Sequence, residues 1–269
     1  MATTSRHDAW AAGDSYDAYM GRWSRPVAAR FLDWLALPSG LDWLELGCGT
    51  GAMTAAVVRQ CEPASLVAVD PSEGFLAKAR QNVDDPRVEF RVGDAGSLAS
   101  QPSGSRDVAV AALVINFIPD RAGALREMKR IVRPGGTVGF YVWDYPGGGV
   151  EFMRAFWTAA IALDPMARDL TEDRRFPFCT REALVDLARQ AGLGALELTA
   201  IESASVFRDF DDYWRPFTLG AGPAPGYCAS LSPEARERLR QSLYDSLPRQ
   251  EDGAIALGTR AWAVKARVG

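Results

Sequence analysis

"LDWLELGCGTGAM", residues 41–53, runs from an apolar, strand-like segment straight into Gly47, Gly49 and Gly51. Glycines at that density give up side-chain packing for positive φ and for close approach of the backbone to something else. The residues behind them read as a helix to about Cys61, so the bend opens onto free N–H groups and the positive end of a helix dipole. The stretch therefore predicts strand, tight bend and helix, with an anionic or carboxylate-bearing ligand on residues 47–51. Gly47, Gly49 and Ala52 also satisfy the dinucleotide fingerprint G-x-G-x-x-G/A, and a purely structural turn would use the same glycines.

The flanking sequence repeats this rhythm. Upstream, "WSRPVAARFLDWLAL" (23–37) has helical spacing and ends at Pro38-Ser39-Gly40. Downstream, "SLVAVD" (65–70), "VEFRV" (88–92), "DVAVAALVINFI" (107–118) and "TVGFYVWDY" (137–145) read as strands. "PSEGFLAKARQNV" and "AGALREMKRIV" read as helices between them, the latter closed by "RPGG". The wholly apolar run at 107–118 is what a strand covered on both faces needs. Alternating strands and helices imply a parallel sheet with right-handed crossovers.

After Tyr145 the pattern changes to a glycine hinge and an aromatic amphipathic helix, "PGGGVEFMRAFWTAAIALDPMARDL". A helix at "TREALVDLARQAGL" leads to a strand at 195–206. Residues 209–247 read as helices around the bend "LGAGPAPGY", and a final strand lies near 257–267. The expected organisation is an N-terminal helical segment (1–40), a Rossmann-like core (41–146), cap helices (147–178), a core helix and strand (179–207), further cap helices (208–250) and a last core strand (251–269).

Composition limits the partners. The 269 residues are 48% hydrophobic and 24% charged with net charge −4, enough apolar content for a core without staples. The pI near 5.2 and the lack of like-charge runs argue against nucleic acid or a membrane surface as partner. Cys48, Cys61, Cys179 and Cys228 show no CxxC spacing, which points to a reducing, cytoplasmic setting and no structural metal. The N-terminal stretch has no apolar h-region, and the longest apolar run is too short to span a bilayer. A monomer or homodimer is expected.

Asp70 ends the second strand about 20 residues after the bend, where a carboxylate can accept two ribose hydroxyls. Followed by Pro71, it is also a good helix start signal. Asp94, in "GDA" after the third strand, is a candidate acceptor for an adenine amino group. With these residues in place, the chain resembles the class I S-adenosylmethionine-dependent methyltransferases, small-molecule branch, over roughly residues 16–145. "LELGCGTG", "VAVDPS", "GDAGSL", "DVAVAALVINFIPD" and "LREMKRIVRPGGTVGFYVWDY" are similar to the successive motifs of that family, in order and spacing. The resemblance implies a doubly wound seven-stranded sheet with an antiparallel last strand, plus a helical cap. It also implies that S-adenosylmethionine is the cofactor and S-adenosylhomocysteine the product. Gly47, Cys48 and Gly49 would face the methionine portion and Asp70 the ribose. Pro71 and Ser72 would border the adenine, Asp94 and Ala95 would bond its edge, and Leu113 would offer its carbonyl to the amino group. Glu45 would support the site through a polar network.

"SYDAYMGRWSRP" resembles the family's N-terminal segment that folds over the cofactor, with Tyr16, Tyr19 and Trp23 as candidates and Arg22 near the carboxylate; the same aromatics would equally dock a helix on the sheet. Candidate catalytic groups are Asp144 and Tyr145 after the fifth strand, and His7, the only histidine. Asn116 and Phe117 follow the fourth strand. They stand where amino-methylating nucleic-acid enzymes carry an Asn/Asp-Pro-Pro-aromatic signature, here without its two prolines. With Phe156, Trp157, Phe178 and Trp214 of the aromatic-rich cap, they are candidate acceptor contacts, although a cap helix also needs aromatics for its own core. Two other classes share parts of this pattern. A nicotinamide-dependent oxidoreductase fits "GDA" and "RPGG" poorly, whereas a silent S-adenosylmethionine-binding protein would keep every cofactor motif.

Overall fold

The computed structural model describes residues 20–220 and 222–269. In chain order the helices are α1 (Arg22–Leu35), α2 (Ala52–Cys61), α3 (Glu73–Asn82), α4 (Arg121–Ile131) and α5 (Glu151–Leu163). They continue with α6 (Glu172–Arg175), α7 (Arg181–Gln190), α8 (Phe210–Trp214), α9 (Pro223–Ser230) and α10 (Pro233–Ser246). The strands are β1 (Asp42–Leu46), β2 (Ser65–Asp70), β3 (Val88–Val92), β4 (Arg106–Ala112), β5 (Val132–Trp143), β6 (Leu196–Phe207) and β7 (Ile255–Arg267). Among the described residues no helix is long and apolar enough to cross a membrane.

The chain divides into two compact units. The sheet unit comprises Ser24–Trp143, Phe178–Ile201 and Ala261–Gly269. Its strand order is β3-β2-β1-β4-β5-β7-β6, with β1, β2, β3, β4 and β5 parallel and β7 antiparallel to β5. The central strands β1, β2 and β4 are buried almost throughout, as their unbroken apolar runs require, while the edge strand β3 is half exposed. Helix α1 lies on β5. Phe31 packs on Tyr141 at 4.8 Å between ring centroids, and a Cβ on Gly139 would come within 3.0 Å of the Phe31 ring. Asp120 and Thr180 cap α4 and α7 by accepting from Gly123 N–H and Ala183 N–H.

Two local readings need correction. "RPGG" does not stand outside the fifth strand: β5 already begins at Val132, which pairs with Arg106, and the register then shifts so that Val108 faces Thr137. Gly135 reaches positive φ and donates its N–H to Val268 O, so the glycines let the strand absorb the shift instead of ending it. The bend "LGAGPAPGY" is itself helical from Pro223, because a proline at the first helical position lacks only an N–H that the helix leaves unpaired anyway.

The helical unit comprises Asp144–Pro177, Glu202–Arg260 and the described residues 20–23. Its core is aromatic. Phe156 stacks on Phe217 at 4.4 Å, Trp23 packs on Phe207 at 4.6 Å, and the fully buried Tyr213 donates its hydroxyl to Phe152 O at 2.9 Å.

Candidate functional site

The bend at residues 47–51 is shaped by its own backbone and by β2. Gly47 N–H and Cys48 N–H donate to Val69 O at 2.7 and 3.1 Å, and Gly51 N–H donates to Cys48 O at 2.9 Å. Asn82, at the end of α3, holds the bend from outside by donating Nδ2–H to Thr50 O at 2.9 Å. Gly47, Gly49 and Gly51 all have positive φ. They differ in surroundings: a Cβ on Gly47 would run into the Val114 side chain, whereas a Cβ on Gly49 would meet nothing within 4 Å. Packing therefore requires the first glycine, while the second borders open space where a ligand can touch the backbone.

Asp70 is 6% exposed and ties this bend to β2. Its Oδ2 accepts Gly49 N–H and its Oδ1 accepts Ser72 N–H, both at 2.9 Å. Each oxygen keeps acceptor capacity beyond these bonds. Burial raises the Asp70 pKa, and the two N–H bonds oppose that rise. The cap of α3 is Ser72, whose Oγ accepts Phe75 N–H at 3.2 Å; the helix-start signal at Asp70-Pro71 thus belongs to the neighbouring serine.

Glu45 sits beneath, 1% exposed, with Thr54 Oγ1 donating to its Oε2 at 2.6 Å. Burial, with a smaller push from the Asp70 charge, moves its pKa up to about 7. The Cys48 thiol is buried and pushed up for the same first reason. Because β1 to β4 are parallel, Gly47, Asp70, Asp94 and Leu113 all follow carboxyl ends of strands on one edge of the sheet. That edge is where open α/β sheets bind ligands. Pro71 and Asp94 are exposed, and Ser72 and Ala95 half-buried. Leu113 has φ +58, uncommon for a leucine, and donates its N–H to Tyr141 O at 2.9 Å.

The other candidates are placed as follows. Asn116 is buried after β4, with Nδ2 unpartnered among the described residues, and Phe117 beside it is exposed. The Arg121 guanidinium covers the Phe178 ring at 3.9 Å. Phe156, Trp157, Trp214 and Trp23 are all buried in the helical unit. Asp144 is 2% exposed and holds the glycine loop after β5, accepting Gly147 N–H at 2.9 Å and Arg260 Nε–H at 2.7 Å. Tyr145 stacks on Phe176 at 5.7 Å. His7, Tyr16 and Tyr19 lie outside the described residues, as does the side chain of Arg22. Sequence reasoning missed Thr54, Asn82, Val114, Arg260 and Glu172, whose parts depend on side-chain pairing. Only Thr54, nine residues from Glu45 in the helix after the bend, left a readable signal.

Residues 44–140 match the family described as "Methyltransferase domain". This stretch is similar to a methyltransferase domain. The matched stretch spans the bend, Asp70, Asp94 and Leu113, and ends before Asp144. Its relatives include the 2-phytyl-1,4-naphtoquinone methyltransferase of Thermosynechococcus vestitus, 34% identical over 117 residues, 43% of this chain and 52% of that protein. The matches span about half the length of the first curated relatives, 52%, 52% and 45%. Among solved structures, the phosphoethanolamine N-methyltransferase 2 of Haemonchus contortus, in complex with S-adenosyl-L-methionine, aligns at TM-score 0.56 and 17% identity over 95% of this chain and 56% of that one. The [4+2]-cyclase SpnF aligns at TM-score 0.51 and 19% identity over 92% of this chain and 81% of that one. At such identities these likenesses concern the fold alone.

Proposed function

We propose that the protein transfers a methyl group from S-adenosylmethionine to a small organic acceptor. The observation that carries the reading is Asp70: a buried carboxylate at a strand end that retains acceptor capacity while it braces Gly49 N–H, in a bend where a Cβ on Gly49 would meet nothing within 4 Å. The surrounding residues fit an adenosyl sulphonium in chemistry. Backbone at residues 47–49 would hold its amino-acid end, Asp70 its ribose hydroxyls, Pro71 and Ser72 the face of the adenine, and Asp94 and Ala95 its edge. The Leu113 carbonyl would accept from its ammonium, and Glu45 would support the bend from beneath. When bound, this cofactor supplies an electrophilic methyl group on a positive sulphur.

The protein then has to hold the acceptor in line, and orientation alone can supply about 7–11 kcal/mol of barrier reduction. An amine, thiolate or ionised acid needs no strong base. In this reading Asp144 belongs to the framework of the 144–149 loop, where Arg260 and Gly147 engage it. A second reading, S-adenosylmethionine binding without methyl transfer, would keep every cofactor-facing residue named above.

Calorimetry tests the first half: S-adenosylhomocysteine should bind saturably and NADH should not bind. Asp70→Ala should weaken that binding more than tenfold with a thermal midpoint that still reports a folded protein. An unchanged titration removes the ribose assignment. Labelled S-adenosylmethionine with a metabolite library tests the second half, and binding with no transfer to any acceptor favours the second reading.

A further inference from the structure

Within the helical unit, Tyr145, Met153, Trp157, Ile161, Thr171 and Glu172 line a cavity of 230 Å³. An apolar cavity of about 150 Å³ accommodates benzene, so this one admits an aromatic or short alkyl body with a polar arm. The polar group it offers is unusual. Glu172 is 5% exposed; its Oε2 accepts Trp157 Nε1–H at 2.6 Å and its own backbone N–H also favours the carboxylate, while its Oε1 is buried and has no partner in good hydrogen-bond geometry among the described residues. An unsatisfied buried acceptor is costly, more so when charged, and a residue kept only to bond Trp157 would need one oxygen and no charge.

The rest of the wall has the matching sign. Asp173 adds a second carboxylate, against the single guanidinium of Arg154, which pairs with Glu151 at 3.4 Å. The Arg175 charge also acts on Glu172 and favours its ionised form, although burial dominates and sets the carboxyl at about 7. Aromatic walls beside a carboxylate suit an organic cation, because both the ring faces and the acid attract positive charge.

We propose that this cavity binds a small organic ammonium whose N–H groups pair with Glu172 and whose apolar body rests against Trp157 and Tyr145. The site goes beyond the cofactor reading and does not depend on it. The ligand's chemistry is the same whether it is the methyl acceptor or a regulator, and the two are separated by experiment.

Phenethylamine and hexylamine, with 2-phenylethanol and 3-phenylpropionate as neutral and anionic counterparts, are titrated calorimetrically into the full chain. The amines should bind saturably, the alcohol about tenfold or more weaker, and the acid not at all. Glu172→Gln retains an acceptor for Trp157 and replaces the other oxygen with an amide NH₂. It should weaken amine binding at least about tenfold while the protein stays folded. Ile161→Trp, which fills the cavity without touching the acid, should abolish binding. Equal binding of amine and alcohol, absence of amine binding at millimolar concentration, or unchanged affinity in a folded Glu172→Gln variant would overturn the proposal. With labelled S-adenosylmethionine present, methyl transfer to the nitrogen, after the ammonium has lost one N–H proton to water and with S-adenosylhomocysteine released, identifies an acceptor, and saturable binding without transfer identifies a regulator. The S-adenosylhomocysteine titration is run separately, so a failure there leaves the amine result intact.

Discussion

Gly47 and Gly49 lie two residues apart in the same bend, yet substitution should affect them differently. Gly47→Ala places a methyl group on the Val114 side chain at φ +73, and overpacking plus the left-handed backbone should cost about 2–4 kcal/mol of stability. Gly49→Ala meets open space, so only the backbone term of about 1–2 kcal/mol applies, and the larger loss should fall on S-adenosylhomocysteine affinity. Denaturant unfolding and calorimetry on both variants check this contrast; equal stability losses would remove the distinction. The sequence made both glycines visible but not their separate reasons, because Val114 is 67 residues from Gly47 and nothing local announces the contact. Asp70 was legible for the opposite reason: its distance from the bend and its place at a strand end are linear features. Its bond to Gly49 N–H, and the transfer of the capping role to Ser72, emerge only in three dimensions.

Among the elements, periodicity located the parallel strands well because burial on both faces leaves unbroken apolar runs. It failed at β5 and α9 for one shared reason: Gly and Pro were read as terminators, although Gly135 carries a register shift and Pro223 opens a helix. The helical unit shows how aromatics divide between core and site. Phe217 is fully buried against Phe156, Tyr213 and Phe152, so Phe217→Ala should cost about 3–5 kcal/mol. Tyr213→Phe removes only the bond to Phe152 O and should cost about 1 kcal/mol. Equilibrium unfolding gives both values, and near-equal losses would mean the hydroxyl, not ring packing, holds this cluster together. Composition alone could not sort Phe156 and Trp157 from pocket residues, since a stacked core ring and a ligand-facing ring have the same sequence signature.

Over the whole molecule, the chain passes repeatedly between the two units, so each is assembled from segments far apart in sequence. The mixed sheet was legible from the order of strands and helices, whereas Asp144 with Arg260, and Trp157 with Glu172, were not, because side-chain pairing leaves no periodicity. Three buried acids, Asp70, Glu45 and Glu172, set an expected pH response, and the two glutamates move furthest. Burial raises Glu45 and Glu172 from an ordinary 4.5 to about 7, so the folded state binds more protons than the unfolded chain across that window. Their contribution is complete below about pH 4.5 and is lost as pH rises through 7, roughly 3 kcal/mol per group. Asp85, held at about 2 by Arg87, acts in the opposite sense but only at lower pH, where its exposed pair contributes little. Glu45→Gln should therefore flatten the fall in thermal midpoint between pH 5 and 8; an unaltered slope would exclude Glu45 as its source. The most direct measurement of all is a crystal structure grown with S-adenosylhomocysteine. The ribose hydroxyls should bond the Asp70 carboxylate and the amino-acid end should lie on the backbone of residues 47–49; a nucleoside lodged elsewhere, with Asp70 still bonded to nothing but Gly49 and Ser72, would contradict the assignment.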